Sequence, residues 1–287
     1  MNKIAETELI LNSENKIYHL NLSKDEIADN IILVGDPDRV SVISNKFDLI
    51  EHKIQNREFV THTGILNEKR ISAIATGIGP DNIDIVVNEL DALVNIDFKT
   101  RTINKKKKTL NLIRLGTSGA LQRDIDVDSF LASSFGLGFD SIAHFYESEE
   151  IIEHDMSSKY KQHAIWPENL SNPYIVKASS NLLSIFPDIK KGITATSPGF
   201  YGPQGRTLRL NHSITNLHKK MESFCYKEKK ITNFEMETSA LYYLGRSLGH
   251  NTLTICAVIA NRLTKKYSKD YKKTVEKMID LVLKKIC

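Results

Sequence analysis

Cysteine is scarce in this chain. Cys225, Cys256 and Cys287 are far apart, odd in number and outside any CxxC or Cys/His spacing, which removes both a disulfide framework and a structural zinc site. No Pro/Gly/Ser-rich linker and no internal repeat divides the 287 residues, so a single domain over residues 1–287 is expected. No uncharged apolar run reaches transmembrane length. The opening stretch MNKIAETELILNSENK carries acids and no apolar core segment, so no signal peptide is expected. Net charge is only +4, and part of it sits in the run Lys105–Lys108, which reads as a solvated loop rather than a nucleic-acid surface. Neither a Walker loop nor G-x-G-x-x-G occurs, so a mononucleotide or dinucleotide fold has no support. These absences leave a reduced, cytoplasmic protein that binds neither nucleic acid nor membrane.

What is present is a series of short apolar runs: IILVG, ISAIATG, LNLIRLGTSG, SFLASSFGL and TLTICAVIA. Runs this apolar fit strands covered on both faces by helices. Helical patterns separate them. IDIVVNELDALVNI alternates apolar and polar faces, EMETSALYYLGRSLGH closes on Gly249, and DYKKTVEKMIDLVLKKI places Val275, Met278, Ile279 and Val282 on one stripe. The expected fold is therefore α/β, one domain with a mostly parallel or mixed sheet flanked by helices. Two regions fit no period: Asn95–Thr109 reads as an extended basic loop, and Glu147–Tyr174 as a lid or substrate-side loop.

Three runs end in glycine-bearing stretches read as strand-end turns: VGDPDR, ATGIGPDN and LGTSGA. In open α/β sheets ligands lie beyond the carboxyl ends of strands, where glycine lets the backbone approach. Arg39, Arg114 and the Thr117 hydroxyl accompany these stretches, and two guanidinium groups with several N–H donors suit a phosphate. Taken singly, each is equally an ordinary connection between two elements. Downstream, SPGFYGPQGR offers Phe200 for stacking on a flat ring and Gln204 with Arg206 for carbonyl and imino edges; a plain surface turn reads the same way. In NFEMET, Glu235 and Glu237 stand two apart, so in extended geometry both face one cavity and suit a ribose diol. Acids at a helix start are also ordinary dipole partners.

Taken in order, YHLNLSKDEI, VGDPDRV, NREF, TGIG, IRLGTSGALQ, PGFYGPQGR, FEMETSALY and VIANR resemble the nucleoside phosphorylase family over nearly the whole chain, and its uridine phosphorylases in particular. The resemblance implies a single α/β domain with a twisted mixed sheet, assembled as a dimer or hexamer with sites shared across a dimer interface. It implies cleavage of a nucleoside by inorganic phosphate, a co-substrate, with no cofactor. Gly35, Arg39, Arg114 and Thr117 match phosphate positions, and Arg57 an arginine lent by the neighbouring subunit. His19 matches a histidine lent to the ribose 5′-hydroxyl, while Met236 and Glu237 match ribose contacts. Phe200, Gln204 and Arg206 match uracil contacts, with Arg262 behind the base; Glu235 is placed on the base side with them.

Purine-specific relatives protonate the leaving base with an aspartate near the end of the VIAN-type strand, which here reads AVIANRLT without an acid. A departing uracil instead spreads negative charge over carbonyl oxygens that Arg206 and Gln204 can hold. Arg39, Arg57 and Arg114 favour phosphate over water as nucleophile. The expected reaction is uridine to uracil and ribose 1-phosphate, with Arg114, Glu237 and Arg206 catalytic. The rival readings are a purine or broad-specificity phosphorylase and, from another class, a non-catalytic nucleoside-binding member of the fold. Pro80 stands where a second glycine is usual, and no metal ligand is assigned.

Overall fold

The computed structural model describes residues 3–287. From the N-terminus, β1 (Asn30–Val34) leads into α1 (Pro37–Ser44), followed by a meander of β2 (Leu49–Asn56), β3 (Phe59–Leu66) and β4 (Lys69–Ala75). Then come α2 (Pro80–Asn95), a small hairpin of β5 (Ile96–Asp97) and β6 (Thr102–Ile103), and the long strands β7 (Asn111–Ala120) and β8 (Phe130–Gly138). The second half contains α3 (His154–Ala164), β9 (Tyr174–Lys177), α4 (Ser180–Ser184), β10 (Lys190–Thr196), α5 (Leu217–Ser223) and β11 (Cys225–Tyr226). It closes with β12 (Lys229–Glu235), α6 (Thr238–Ser247), β13 (Asn251–Asn261), β14 (Lys266–Tyr267) and α7 (Tyr271–Ile286).

One mixed sheet runs in the order β11-β12-β10-β8-β13-β7-β1-β4-β3-β2. Strands β4, β1, β7 and β13 are parallel, whereas β8 runs against β13 and carries β10 and β12 parallel to itself. Strand β12 also meets β7 antiparallel, with Asn233 opposite Ala120 and Phe234 opposite Gly119. That extra pairing closes β7, β13, β8, β10 and β12 into a ring and turns the end of β12 back along β7.

The apolar runs are the buried strands they promise: Ile31, Ile32, Leu33 and Val34 have no exposed surface, and β7 and β13 are covered in the same way. Val275, Met278, Ile279 and Val282 on α7 pack into the same core as Val86, Val87 and Leu90 of α2. Side chains of this kind contribute about 1.5–3 kcal/mol each on burial. Helix α6 ends as its pattern indicates, with Gly249 at φ +81° just beyond it. Among the described residues no helix is long and apolar enough to cross a membrane.

Three expectations are corrected. LGTSGA is not a turn: β7 continues through Ala120, and Gly116 and Gly119 are packing notches inside it. Asn95–Thr109 is not wholly an extended loop, because Ile96 pairs with Ile103 in the β5–β6 hairpin; Lys105–Lys108 beyond it are exposed. Glu147–Tyr174 is not a structureless lid either. It contains α3, whose Met156, Tyr160 and Ala164 join Trp166 in a second core cluster with Phe135 and Phe224. Polar residues outnumber apolar ones in α3, which hid its helical period.

Candidate active site

Four chain segments converge at one end of β1 and β4. Gly35 follows β1, and Arg39 sits in the first turn of α1 with its side chain mostly covered. Gly77 and Gly79 follow β4; a Cβ on Gly35 would stand 3.3 Å from the Gly77 carbonyl. Gly79 has φ +101°, which a side chain would oppose, and its N–H donates to Glu237 Oε1 at 2.9 Å. Arg114 rises from the middle of β7, and the antiparallel return of β12 brings Glu235 and Glu237 to it. The two acids thus share a partner, Arg114, although only Glu235 is still in the strand; Glu237 is the N-cap of α6. Thr117 lies one residue beyond Gly116, half-buried opposite Ala257, and Met236 is half-buried between the two acids.

Electrostatics define this centre. Arg114 is 5% exposed, with Nη2 hydrogen-bonded to Glu237 Oε2 and Nη1 3.3 Å from Glu235 Oε2. Its Nε and Nη1 are buried without hydrogen-bond partners among the described residues. Buried donors of this kind suit an acceptor with several oxygens. Burial pushes Glu237 up to about 7; Arg114 opposes the rise and Glu235 adds to it. Arg39 is held below the usual guanidinium value by burial first, while Asp36 opposes the shift and the nearby Arg114 adds to it. Glu235 is anchored separately: Thr196 Oγ1 donates to it at 2.8 Å, and the backbone N–H groups of Glu237 and Thr238 donate at 3.0 and 3.1 Å. The structure therefore places Glu235 beside Arg114 and under the start of α6.

A second centre lies beside the start of α2. A cavity of about 960 Å³ is lined by Pro80, Asp81, Phe139, Asp140, Arg206 and Leu210, among others. Phe139 stacks on Trp166 at 4.9 Å. The Arg206 guanidinium lies 3.7 Å over the Phe200 ring, and its Nη1 donates to the Phe200 carbonyl at 2.6 Å and to Gln204 Oε1. Gln204 is buried, and Arg262 donates to the Gly205 carbonyl at 3.2 Å. Arg206 and Arg262 both face the Phe234 ring, at 5.4 and 5.7 Å. Burial first, then repulsion from Arg262, pulls Arg206 down to about 10, so it stays cationic near neutrality. One face of Phe200 is thus taken by Arg206, in place of the open stacking face expected for it.

His19 and Arg57 form a third group, at a hairpin tip whose Glu58 reaches the Gly77 turn. Arg57 is at the tip of the β2–β3 hairpin with φ +53°, exposed, and its Nη2 donates to Tyr18 Oη at 3.1 Å. Asn56 Nδ2 donates to the His19 carbonyl at 2.8 Å, and His19 Nδ1 lies 2.7 Å from Glu89 Oε1 on α2. Glu89 is ten residues after Gly79, about 15 Å along the backbone of α2.

Sequence reasoning missed the packing role of Gly116, and missed Thr196 and Glu89. Gly116 reads as a turn residue, whereas a Cβ there would stand 2.1 Å from Arg114 Nη1. The others act through contacts between distant segments, for which a single sequence holds no signal.

Residues 29–286 match the Phosphorylase superfamily. The chain belongs to this superfamily and is an enzyme of its nucleoside phosphorylase class, a pentosyltransferase acting on a nucleoside and phosphate. It is 27% identical over 270 residues to a uridine phosphorylase of Thermococcus kodakarensis, covering 93% of this chain and 85% of that one. It is 29% identical over 269 residues to a DeoD-type purine nucleoside phosphorylase of Brevibacillus brevis, covering 92% and 96%. Among solved structures, a Trypanosoma brucei nucleoside phosphorylase described as showing uridine phosphorylase activity aligns with a TM-score of 0.83 at 26% identity, over 94% of this chain and 98% of that one.

Proposed function

We propose that this enzyme cleaves uridine with inorganic phosphate to give uracil and ribose 1-phosphate. The observation that carries the reading is buried Arg114, close to Arg39 and ion-paired with Glu235 and Glu237. Two guanidinium groups beside the Gly35 backbone form an anion site next to carboxylates that suit sugar hydroxyls. Phosphate held there by Arg39, Arg114, Gly35 and Thr117 attacks C1′ from below the ring. Glu237 and Met236 hold the ribose, and the anion and Glu237 together stabilise the cationic character that develops at C1′. No cofactor takes part.

Arg206 with Gln204 receives the negative charge of the departing uracil, with Phe200 and Arg262 supporting them. A pyrimidine is favoured because Asn261, on the strand where a purine-protonating acid would be expected, is fully engaged. Its Nδ2 donates to the carbonyls of Gln122 and Ile125 at 2.9 and 2.8 Å, and its Oδ1 accepts from the Leu263 and Thr264 N–H groups at 2.9 and 3.0 Å. The cavity of about 960 Å³ beside Arg206 favours a second reading, a phosphorylase that also takes purines. Phosphate-dependent release of uracil from uridine, followed by absorbance, tests the first reading, and no turnover defeats it. Faster turnover of inosine than of uridine establishes the second.

The enzyme acts as a homo-oligomer, a dimer or a hexamer built from dimers. His19 is held by Glu89 and Arg57 by Tyr18, and among the described residues neither side chain bonds to Arg114, Glu235 or Glu237. They complete the site of a neighbouring copy: Arg57 at the phosphate and His19 at the ribose 5′-hydroxyl.

A further inference from the structure

Glu89 is on α2, seventy residues from His19 in sequence, yet its carboxylate holds His19 at two points and the neighbouring Leu20 at a third. Oε1 accepts from the His19 backbone N–H at 3.0 Å and lies 2.7 Å from Nδ1, while Oε2 accepts from the Leu20 N–H at 2.8 Å. On the other side of the segment, Asn56 Nδ2 donates to the carbonyls of Tyr18 and His19. The imidazole is braced edge-on by Tyr18, with ring centres 4.8 Å apart, and by Phe59 at 6.4 Å. An ionised carboxylate only accepts, so the proton of this pair belongs on Nδ1 of the histidine. In the neutral ring that leaves Nε2 as an acceptor with a set direction.

We propose that Glu89 is a positioning residue: it selects the Nδ1–H form of His19 and aims Nε2 to accept a hydrogen bond from the ribose 5′-hydroxyl of a nucleoside in the neighbouring copy's site. The inference rests on the proposed reading of His19. It adds a residue that touches neither substrate and acts only through the orientation and protonation of another. Glu89 has a second consequence through its helix: the rigid α2 that carries it also presents Gly79 to Glu237, so one element braces contacts to two sites.

The test compares uridine with 5′-deoxyuridine at saturating phosphate in the full oligomer, using wild type, Glu89→Gln, His19→Ala and the double variant. A hydrogen bond aimed by a charged group predicts that E89Q raises KM for uridine roughly tenfold. Turnover at saturation should change little, and KM for 5′-deoxyuridine should stay at its wild-type value. In the double variant E89Q should add nothing to H19A, because the two act as one unit. An equal effect of E89Q on both substrates, no effect on either, or an additive effect on H19A overturns the inference. Wild-type enzyme that handles the two substrates alike instead overturns the reading of His19, and this inference falls with it. Glu89→Asp, which keeps the charge but withdraws it from Nδ1, supplies the same comparison should E89Q not fold.

Discussion

The side chain of Arg114 occupies the space that a Cβ on Gly116 would need, 2.1 Å from Nη1. Two residues apart on one strand, the two share a face, and the glycine lets the guanidinium lie flat against β7 and turn to Glu235 and Glu237. Gly116→Ala should push Arg114 off both acids. Losing one aligned charged donor lowers turnover by roughly 10²–10³-fold. Both G116A and Arg114→Ala are expected to fall in that range when phosphorolysis is measured at saturating nucleoside. G116A retaining more than a tenth of wild-type turnover would show that Arg114 does not need this path.

Glu237 bonds to Arg114, where the proposed function puts the substrate anion, and burial raises its pKa to about 7. Protonation removes competition for the guanidinium, so anion binding should tighten as pH falls. Sulfate, whose charge does not change in this range, is the suitable probe. If only the protonated form binds, sulfate affinity rises roughly tenfold from pH 8 to pH 6. The sign for stability is set by the same shift. The folded state holds this proton where the unfolded chain has lost it, so the contribution is full below the ordinary carboxylate value and is lost as pH rises to about 7. Titration calorimetry across that range checks the binding, and a flat profile would contradict the coupling.

At the base end, Arg206 is linked to Gln204 and stacked on Phe200. Arg206→Ala should lower kcat/KM for uridine roughly 10²-fold and leave the KM for phosphate near wild type, because the Arg206 guanidinium bonds to Phe200 and Gln204 and not to Arg39, Arg114 or their acids. A parallel loss of phosphate affinity would mean the two centres are coupled in a way this geometry does not provide.

Shared sites can be tested by mixing inactive variants. If the sites are shared as proposed, R114A damages the site of its own chain, whereas Arg57→Ala damages the site of the neighbour. Subunits exchanged at equal amounts give mixed dimers with one intact site, and statistical pairing restores roughly a quarter of wild-type activity. No recovery after demonstrated exchange would place Arg57 in its own chain's site or outside any site.

Met278 on α7 is fully buried in the main core. Truncation to alanine should destabilise the protein by about 2–5 kcal/mol, measured by denaturant unfolding, with KM values unchanged in the folded enzyme. A loss below about 1 kcal/mol would mean that α7 repacks freely.

Much of the architecture was legible because its signals are local. Five apolar runs announced buried strands, and the stripe of Val275, Met278, Ile279 and Val282 announced α7, since both periods depend only on neighbours in the chain. Helix α3 was not legible because its few apolar residues, Met156, Tyr160 and Ala164, form too sparse a stripe among polar ones. LGTSGA misled for a different reason. Glycine marks a turn when it frees the backbone, but at Gly116 and Gly119 it clears space for Arg114 and Phe234, and composition cannot separate the two uses.

By itself the sequence determined the α/β class, five of the strands with helices α2, α6 and α7, and the kinds of side chain available for an anion, a sugar and a flat ring. These follow from residue type and short-range spacing. Only the tertiary structure decided that β12 folds back along β7 to bring two acids to Arg114, that Gln204 and Arg206 gather beside a large cavity, and that Glu89 grips His19. The partners in those contacts are separated by up to 123 residues, except for Gln204 and Arg206, which are two apart. Nothing within one short stretch of chain can specify which distant stretch the closing of a sheet will set against it.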